Sequence, residues 1–518
     1  MIVYLKLISN TYIDTIIIKE LSDRRVLMSN LTISARNLEL LSKNQEFYSE
    51  KLIKDIMLKD IESYKSIISK IENKMSKWDS KTKDLYKSRQ IKAWDLIGKK
   101  PESIEYNLIN IMKVFVSKAI QLHLTDLSSV TYDNPDFYYL YRNGYSESLS
   151  AINESITFFT VEQEKITESI LLIVLLLAMS AIILMILCFI AVLAPTLYSV
   201  EKSNKTVWRL FYLLPLDLVQ EMRSRCEERL EMTHGIEPEV GEEGSKFKKI
   251  SSRRLITPKR KFLSILLRIS LYYLLSMGLF IFFYYFAYSN FGELLKLKPR
   301  LLNLAGLRTF YTNSLYFWIQ EIKYENTNYS YKYIVQEKGF NMQPKEELKK
   351  TIYDLLYVEN ELIFGGYKGI AQSSKHFGLI FEDSCWNDKC EILSKGLHSG
   401  VLMYIGEILN ARMLIDTGRL AELEDVFNRK NELQYGEQIL FDLYDQYITD
   451  YINFYITTVI WVTSTYCLIV MALYFFVYIP IINSVRGEIT KVWRLGRLIP
   501  IEHRTKIMAA FKIASGKT

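Results

Sequence analysis

The sequence predicts a mainly α-helical integral membrane protein with three transmembrane helices and two extracytosolic helical-bundle domains that arose by internal duplication. Three observations predict this fold class. Long apolar runs begin at Ser169, Phe262 and Ile452. One phrase occurs twice, as VWRLFYLLP from Val207 and as VWRLGRLIP from Val492, an offset of 285 residues. The segments between the runs place apolar residues at the three- and four-residue intervals of amphipathic helices.

These features predict seven segments in chain order. They are a first extracytosolic bundle (1–167), a first transmembrane helix (168–194), cytosolic juxtamembrane helices with a basic loop (195–261), a second transmembrane helix (262–288), a second extracytosolic bundle (289–451), a third transmembrane helix (452–479) and a cytosolic juxtamembrane tail (480–518). The offset of 285 has the size of a whole domain or more, which favours a duplicated domain over a short solenoid repeat.

The three apolar runs are each longer than the roughly 20 residues that a helix needs to cross a bilayer. Arg268 is the single charged residue within them, and it lies near Lys261, where its side chain can reach the membrane surface. A buried core helix of a soluble protein would rarely combine such length with so few charges. The runs therefore predict membrane spans.

The first bundle is predicted to contain about four helices. Ser22–Leu41 is the first, and a stripe of apolar residues between Leu52 and Met75 indicates the second. Ser103 begins the third, and Ser146–Phe159 continues without Pro or Gly into the first span. Four helices suffice for an up-and-down bundle.

The second bundle is less regular. Its predicted helices are Pro299–Tyr324, Lys345–Leu362, Glu391–Leu414 and Glu437–Tyr451, the last again continuing into a span. Local similarity to the first bundle is weak.

Charge asymmetry predicts the topology. The net charge is +7, and basic residues are concentrated in Lys246–Lys261 and in the C-terminal tail, whereas Glu162, Glu164 and Glu168 precede the first span. The positive-inside rule then places the basic loop and the C-terminus in the cytosol of an integral plasma-membrane or endomembrane protein. A basic stretch beside a span more often contacts lipid headgroups than nucleic acid, so we expect no nucleic-acid partner.

The predicted topology determines which asparagines can be glycosylated. The glycosylation acceptors Asn30, Asn153 and Asn328 lie in the outward segments, whereas the acceptor Asn204 is cytosolic.

Cys385 and Cys390 lie in the second outward segment, and we expect them to form a disulfide. A metal site is the alternative, but two cysteines without a nearby pair of histidines form half of a ligand set. The cytosolic Cys226 is expected to be a free thiol.

The repeated phrase predicts a helix that leaves the membrane, a bend at a proline and a second helix. Its marker residues are Pro195, Trp208 and Pro215 in the first copy and Pro480, Trp493 and Pro500 in the second. Two interpretations are open: an interfacial helix anchored by its tryptophan, or a juxtamembrane coupling element that passes displacements of the spans to the cytosol.

The offset also predicts a counterpart of the second span that would end near Val3. We therefore expect the sequence to lack its own beginning. The alternative is that the first span alone translocates the N-terminal segment.

The succession of a span, a proline, VWRL and LLPLDLVQEMRSRCEERLEM, together with KCEILSKGL, resembles the tiny-macrocysts-type (TmcB-like) multipass membrane proteins of ciliates and other protists. The resemblance implies a multipass architecture, often combined with cytosolic PAS-type sensor domains. The sequence contains no PAS-like segment.

Enzyme, cofactor and metal motifs are absent from the sequence. FKIASGKT lacks the first glycine of a phosphate loop, FGGYKG lacks dinucleotide-binding spacing, and the five histidines are scattered. We therefore expect a non-enzymatic, receptor-like or signal-transmitting membrane protein. A structural scaffold subunit is the alternative, and a subunit of an oligomeric channel is less favoured because the spans lack deep ionisable residues. Expected partners are the lipid bilayer, other membrane or cytosolic proteins, and a second copy of the chain.

Overall fold

The computed structural model describes most of the chain. It covers residues 2–45, 48–75, 78, 80–98, 100–188, 190–191, 195, 198, 202, 216–233, 258–330, 332, 343–364, 380–381, 391–419, 423–473, 475–476, 479–480, 483, 486–487 and 490. Within these residues the protein is mainly helical, as the sequence predicts.

The N-terminal part of the fold contains six helices and one hairpin in its described residues. They are α1 (Ile2–Ser42), α2 (Glu50–Met75), α3 (Ser80–Lys87), β1 (Gln90–Ile97), β2 (Lys100–Asn107), α4 (Leu108–Leu124), α5 (Pro135–Gly144) and α6 (Glu147–Cys188). The predicted apolar stripe of α2 is buried except for Leu52, which is exposed, and Ile56, which is half-buried. The helix that was predicted to continue into the first apolar run is confirmed, because α6 is unbroken.

The β-hairpin was not predicted, and the helix expected from Ser103 begins only at Leu108. Ile91 and Ala93, two residues apart in β1, are both buried, which is the two-residue period expected of a strand. Gly98 lies in the turn of the hairpin and has a φ of +57°. Asn107 then caps α4, since its side chain accepts the Asn110 N–H at 2.8 Å. The helical spacing of apolar residues in α4 therefore led to a helix being predicted over the end of β2 as well.

The C-terminal part contains five α-helices in its described residues. Its described elements are α7 (Leu216–Thr233), α8 (Pro258–Tyr324), α9 (Pro344–Phe364), α10 (Leu397–Asp416) and α11 (Glu424–Leu473). The predicted helices at Pro299–Tyr324 and Lys345–Leu362 are confirmed. The predicted helix from Glu391 begins only at Leu397, because Gly396 has a φ of +87° and interrupts it. The predicted helix from Glu437 begins earlier, at Glu424.

The chain divides into two compact units. Unit 1 consists of Met1–Leu172 and Asn290–Ile456, and unit 2 consists of Ile173–Ser289 and Thr457–Thr518. The structure therefore differs from the prediction of two separate helical bundles, because both outward segments belong to the same unit. Hydrogen bonds between buried polar residues of α1 and α8 account for this difference.

The three apolar runs carry large hydrophobic side chains that remain exposed. Those on α6, α8 and α11 include Leu176, Ile183, Leu184, Leu187, Leu267, Leu271, Leu274, Phe282, Tyr285, Phe454, Trp461, Leu468 and Met471. Among the described residues, one helical stretch, Glu424–Ile469, is long and apolar enough to cross a membrane by its length and composition. Within unit 2, the hydroxyl groups of Ser276 and Tyr466 lie 3.3 Å apart, so α8 contacts α11 there.

Gly306 permits the close approach of α1 and α8. A Cβ atom at this position would lie 2.7 Å from Ser22 Cβ, closer than two carbon atoms can pack. A glycine inside a helix lowers stability, and close packing explains why this one is compatible with the fold.

We expect Gly306→Ala to destabilise the protein by about 1–3 kcal/mol, because the added methyl group must push the two helices apart. Chemical denaturation of the full chain in detergent measures the effect. Gly278→Ala is the matched control on the same helix, where a Cβ meets no atom within 4 Å. Equal effects of the two substitutions would contradict close packing at Gly306.

Candidate functional site: a buried polar interface between two helices

Helices α1 and α8 run in parallel and are joined by buried polar side chains. Asn313 Nδ2 donates to Asn30 Oδ1 at 2.7 Å, and Gln320 Nε2 donates to Asn37 Oδ1 at 2.8 Å. Both pairs are 283 residues apart in the sequence, and a constant separation is possible only between parallel helices. The interface therefore joins the first and second parts of unit 1 in one register.

Arg36 is the centre of this interface. Its Nε donates to Glu321 Oε1 at 2.8 Å, its Nη1 to Glu39 Oε2 at 2.7 Å, and its Nη2 to the Tyr329 carbonyl at 2.6 Å. The Tyr141 hydroxyl donates to Glu321 Oε2 at 2.8 Å. The side chains of Arg36, Glu39 and Glu321 are fully buried. Such a network is stable only because nearly every charged atom has a partner.

Burial and pairing act in opposite directions on these charges. Burial lowers the pKa of Arg36, but Glu321, Tyr141 and Glu39 together raise it above its ordinary value. Burial likewise raises the pKa of Glu321, and Arg36 opposes that shift. The guanidinium group also lies over the ring of Tyr141, 5.4 Å from its centroid. Arg36 therefore remains charged, although it is out of contact with water.

A second buried arginine, Arg308, links α8 to α9 and α11. Its Nη1 lies 3.5 Å from Glu359 Oε2, and its Nε lies 3.7 Å from Glu437 Oε1. The Thr312 hydroxyl donates to Glu437 at 2.8 Å, and His398 Nδ1 lies 3.1 Å from Glu359. Within the described part of the chain, Glu437 Oε2 makes no hydrogen bond. This cluster is less completely paired than that of Arg36.

A third buried arginine, Arg25, lies on α1. Its Nη1 donates to Asn153 Oδ1 of α6 at 3.2 Å, and its Nη2 donates to the Asn303 carbonyl of α8 at 3.3 Å. Burial lowers the pKa of Arg25 to about 9. The separation between Arg25 and Arg308, 283 residues, is the same as in the amide pairs. Each arginine thus connects the first long helix of its part of the chain to the last one.

The interface also borders a small cavity of about 40 Å³ between α1, α2 and α11. Its lining includes Asn30, Asn37, Lys430, Asn431 and Gln434. Lys430 is 4% exposed, and its ammonium group lies 4.7 Å from the Phe427 ring centroid. Ile33, Ile53, Ile56 and Phe427 contribute apolar surface to the same cavity. The cavity is far smaller than the roughly 300–1,000 Å³ typical of sites for drug-sized ligands.

The predicted glycosylation acceptors lie in different environments. Asn30 is part of the interface, and Asn153 accepts from Arg25. Asn328 is exposed in a turn after α8. The acceptor Asn204 lies outside the described residues.

Most of the other predicted site residues lie outside the part of the chain that the structure describes. Pro195 and Pro480 are helical and exposed, and α7 begins at Leu216. Trp208, Pro215, Trp493 and Pro500 lie outside the described residues, as do Cys385 and Cys390. The bend and the disulfide therefore stay predictions. In the described part of the chain, no group of three His, Cys, Asp or Glu side chains is arranged to hold a metal ion.

The buried interface between α1 and α8 was not predicted from the sequence. One signal was present: the offset of 285 that aligns the repeated phrases also aligns Arg36 with Glu321. Opposite charges at aligned positions of two apolar helices indicate a contact between the repeats. Polar residues at Asn30, Ser34 and Asn37 also share one helical face, which is unusual in a core helix.

No protein-family model, curated protein or solved structure matches this chain. The resemblance to the tiny-macrocysts-type family therefore stays a hypothesis that rests on its short motifs.

We expect Arg36→Met to cost about 3–5 kcal/mol of stability, because it leaves Glu321 buried without a counter-charge, whereas Glu39 keeps its pair with Lys43. The double substitution Arg36→Met with Glu321→Met should recover a large part of that loss. Denaturation of Arg36→Met, of Glu321→Met and of the double variant in detergent measures the coupling. Lys345→Met, which removes an exposed pair with Asp416, should cost less than about 1 kcal/mol. A double variant as unstable as the sum of its single variants would refute the coupling.

Stability should fall as pH rises from 5 to 8. Burial raises the pKa of Asp60 and of Glu437 to about 7, against ordinary values of 3.8 and 4.5. The folded state therefore holds protons that the unfolded state has already released. This stabilisation is complete below the unfolded pKa and is lost as pH rises through the folded pKa. Thermal unfolding at several pH values measures the slope, and Asp60→Asn should reduce it. An unchanged slope in that variant would contradict the assignment.

Among the outward acceptors we expect Asn328 to be glycosylated and Asn30 to be unmodified, because only the former is exposed in a turn. Mass spectrometry of glycopeptides from protein expressed in a secretory-competent cell tests this. Modification of Asn30 without Asn328 would contradict the fold of α1, and modification of Asn204 without the outward acceptors would contradict the topology.

Proposed function

We propose that this chain is a multipass membrane protein of the receptor-like, signal-transmitting type, in which unit 1 is extracytosolic and long helices couple it to cytosolic juxtamembrane segments. The single observation that carries the proposal is the Arg36–Glu321 pair. It connects α1 to α8, and α8 is one continuous helix of 67 residues that includes the second apolar run. A displacement at this pair would shift the whole of α8.

Support for membrane insertion comes from the exposed side chains of the apolar runs. Trp461 and Phe454 are each 70% exposed. Contiguous apolar surface of this extent is costly in water, and lipid would cover it. The three runs fall almost entirely within unit 2, whose boundaries lie close to the predicted ends of the spans.

Support for duplication comes from a local feature of the two long helices. Residues 190–191 and 475–476 are both π-helical, and the two positions are 285 residues apart, the same offset as the repeated phrase. Both parts of unit 1 begin with a long helix and end with one. If the two parts of unit 1 are equivalent, the parallel helices α1 and α8 join them symmetrically. A movement of α1 would then displace α8, and a movement of α8 would displace α1.

The scaffold alternative rests on an exposed apolar face of α9 and α10. These helices are antiparallel neighbours, because Lys345 pairs with Asp416 at 2.8 Å and His398 with Glu359 at 3.1 Å. Their outer side chains include Tyr353, Tyr357, Leu402, Leu409 and Met413, all exposed. A protein partner could bind such a face without any transmitted change.

One experiment separates the two functions. The rate at which a maleimide alkylates Cys226, in α7, is measured in permeabilised membranes for the wild type, for Tyr141→Phe and for Glu321→Gln. Tyr141→Phe removes one donor to Glu321 and leaves the ion pair intact. Signal transmission predicts a several-fold change in rate in both variants while thermal unfolding remains cooperative.

Glu361→Gln is the matched control, since it removes only a partly exposed pair with Arg300. Its alkylation rate should equal that of the wild type. Unchanged rates in Tyr141→Phe and Glu321→Gln, with lower unfolding temperatures, would reject signal transmission and favour the scaffold.

A further inference from the structure

The cavity beside the α1–α8 interface has hydrogen-bond donors in an otherwise largely apolar lining. Asn30 Oδ1 already accepts from Asn313 and from Gln434, the latter at 3.5 Å. Asn37 Oδ1 likewise accepts from Gln320 at 2.8 Å. The amide oxygens of both residues are therefore occupied, and in the described structure their Nδ2 groups have no acceptor. Because Asn30 and Asn37 lie two turns apart on α1, both face the same side.

Lys430 adds a positive charge to this lining. Its ammonium group is buried, and in the described residues no carboxylate lies within 4 Å of it. The rings of Phe427 and Tyr316, with centroids at 4.7 Å and 5.4 Å, contact one side of the group. Aromatic faces stabilise a cation but accept no conventional hydrogen bond. At least part of the ammonium's donor capacity is therefore left for the cavity.

The nearest counter-charge does not complete the site. Asp60, on α2, acts on Lys430 through its charge, but it is absent from the lining of the cavity. Burial lowers the pKa of Lys430 to about 8, and Asp60 opposes the shift. None of the described lining residues carries a carboxylate. A buried ammonium in such a lining is stabilised by an anion that enters it.

The size of the cavity limits the ligand. A volume of about 40 Å³ exceeds the roughly 10–15 Å³ that one water requires, and it is well below the roughly 150 Å³ of a cavity that binds benzene. A halide ion with an accompanying water fits this range. An amino acid or a sugar does not.

We propose that this cavity is a binding site for a small monovalent anion of halide size, held by the Lys430 ammonium group and by the side-chain amides of Asn30 and Asn37. The bound anion would lie where α1, α2 and α11 meet, beside the amide pairs that join α1 to α8. Binding would therefore stabilise the register of that interface. This inference is independent of the membrane topology and of signal transmission.

Thermal unfolding of the full chain in detergent tests the site. Sodium chloride, bromide or nitrate is titrated into sodium gluconate at constant ionic strength, since gluconate is too large for the cavity. We expect chloride or bromide to raise the unfolding temperature saturably, by at least about 2 °C. A response to nitrate alone would assign the site to a planar oxyanion and overturn the halide assignment.

Lys430→Met should abolish the saturable response, whereas Lys350→Met, at an exposed position on α9, should retain it. Excess ³⁵Cl line broadening, which reports bound chloride directly, should be present in the wild type and lost in Lys430→Met. Equal halide responses in the wild type and Lys430→Met, or no response beyond that to gluconate, would overturn the proposal and leave a cavity that holds only water.

Discussion

The buried ion pair between Arg36 and Glu321 is the interaction on which unit 1 depends. It lies between two helices that are far apart in the sequence, and both charges are out of contact with water. A buried charge is costly unless it is paired and hydrogen-bonded, so the network permits essentially one alignment of α1 with α8. Apolar contacts alone would tolerate a slip of one helical turn. The hydrogen-bonded pairs Asn30–Asn313 and Asn37–Gln320 fix the same alignment of α1 with α8 at two further positions along the interface.

This constraint explains why the outward segments form one unit. Each segment contains only a few helices, and their polar faces at Arg36, Glu39, Glu321 and Arg308 are buried rather than solvated. Glu321 of the second segment is paired with Arg36 and Tyr141, which both belong to the first segment. Packing of α1 against α8 brings these partners together, and Gly306 lets the two backbones approach closely enough for the side chains to meet.

Much of the secondary structure could be predicted from the sequence, because helical periodicity depends on neighbouring residues. Helix α2 and its buried stripe, the end of α8 at Tyr324 and the continuity of α6 follow from local patterns. The β-hairpin was missed because its strands are short and carry many charges. The interface was missed because a repeat offset identifies equivalent residues and does not say which of them touch. Contact between Arg36 and Glu321 depends on long-range packing, which periodicity does not encode.

Native-state hydrogen exchange of the full chain tests most directly whether the α1–α8 interface holds unit 1 together. The amides of α1 between Ser22 and Leu41 and those of α8 between Leu301 and Ile322 should share one protection free energy, because both helices open only when unit 1 unfolds. Glu321→Gln should lower protection equally in both segments. Independent exchange of the two segments, or loss of protection in α8 alone, would contradict the account.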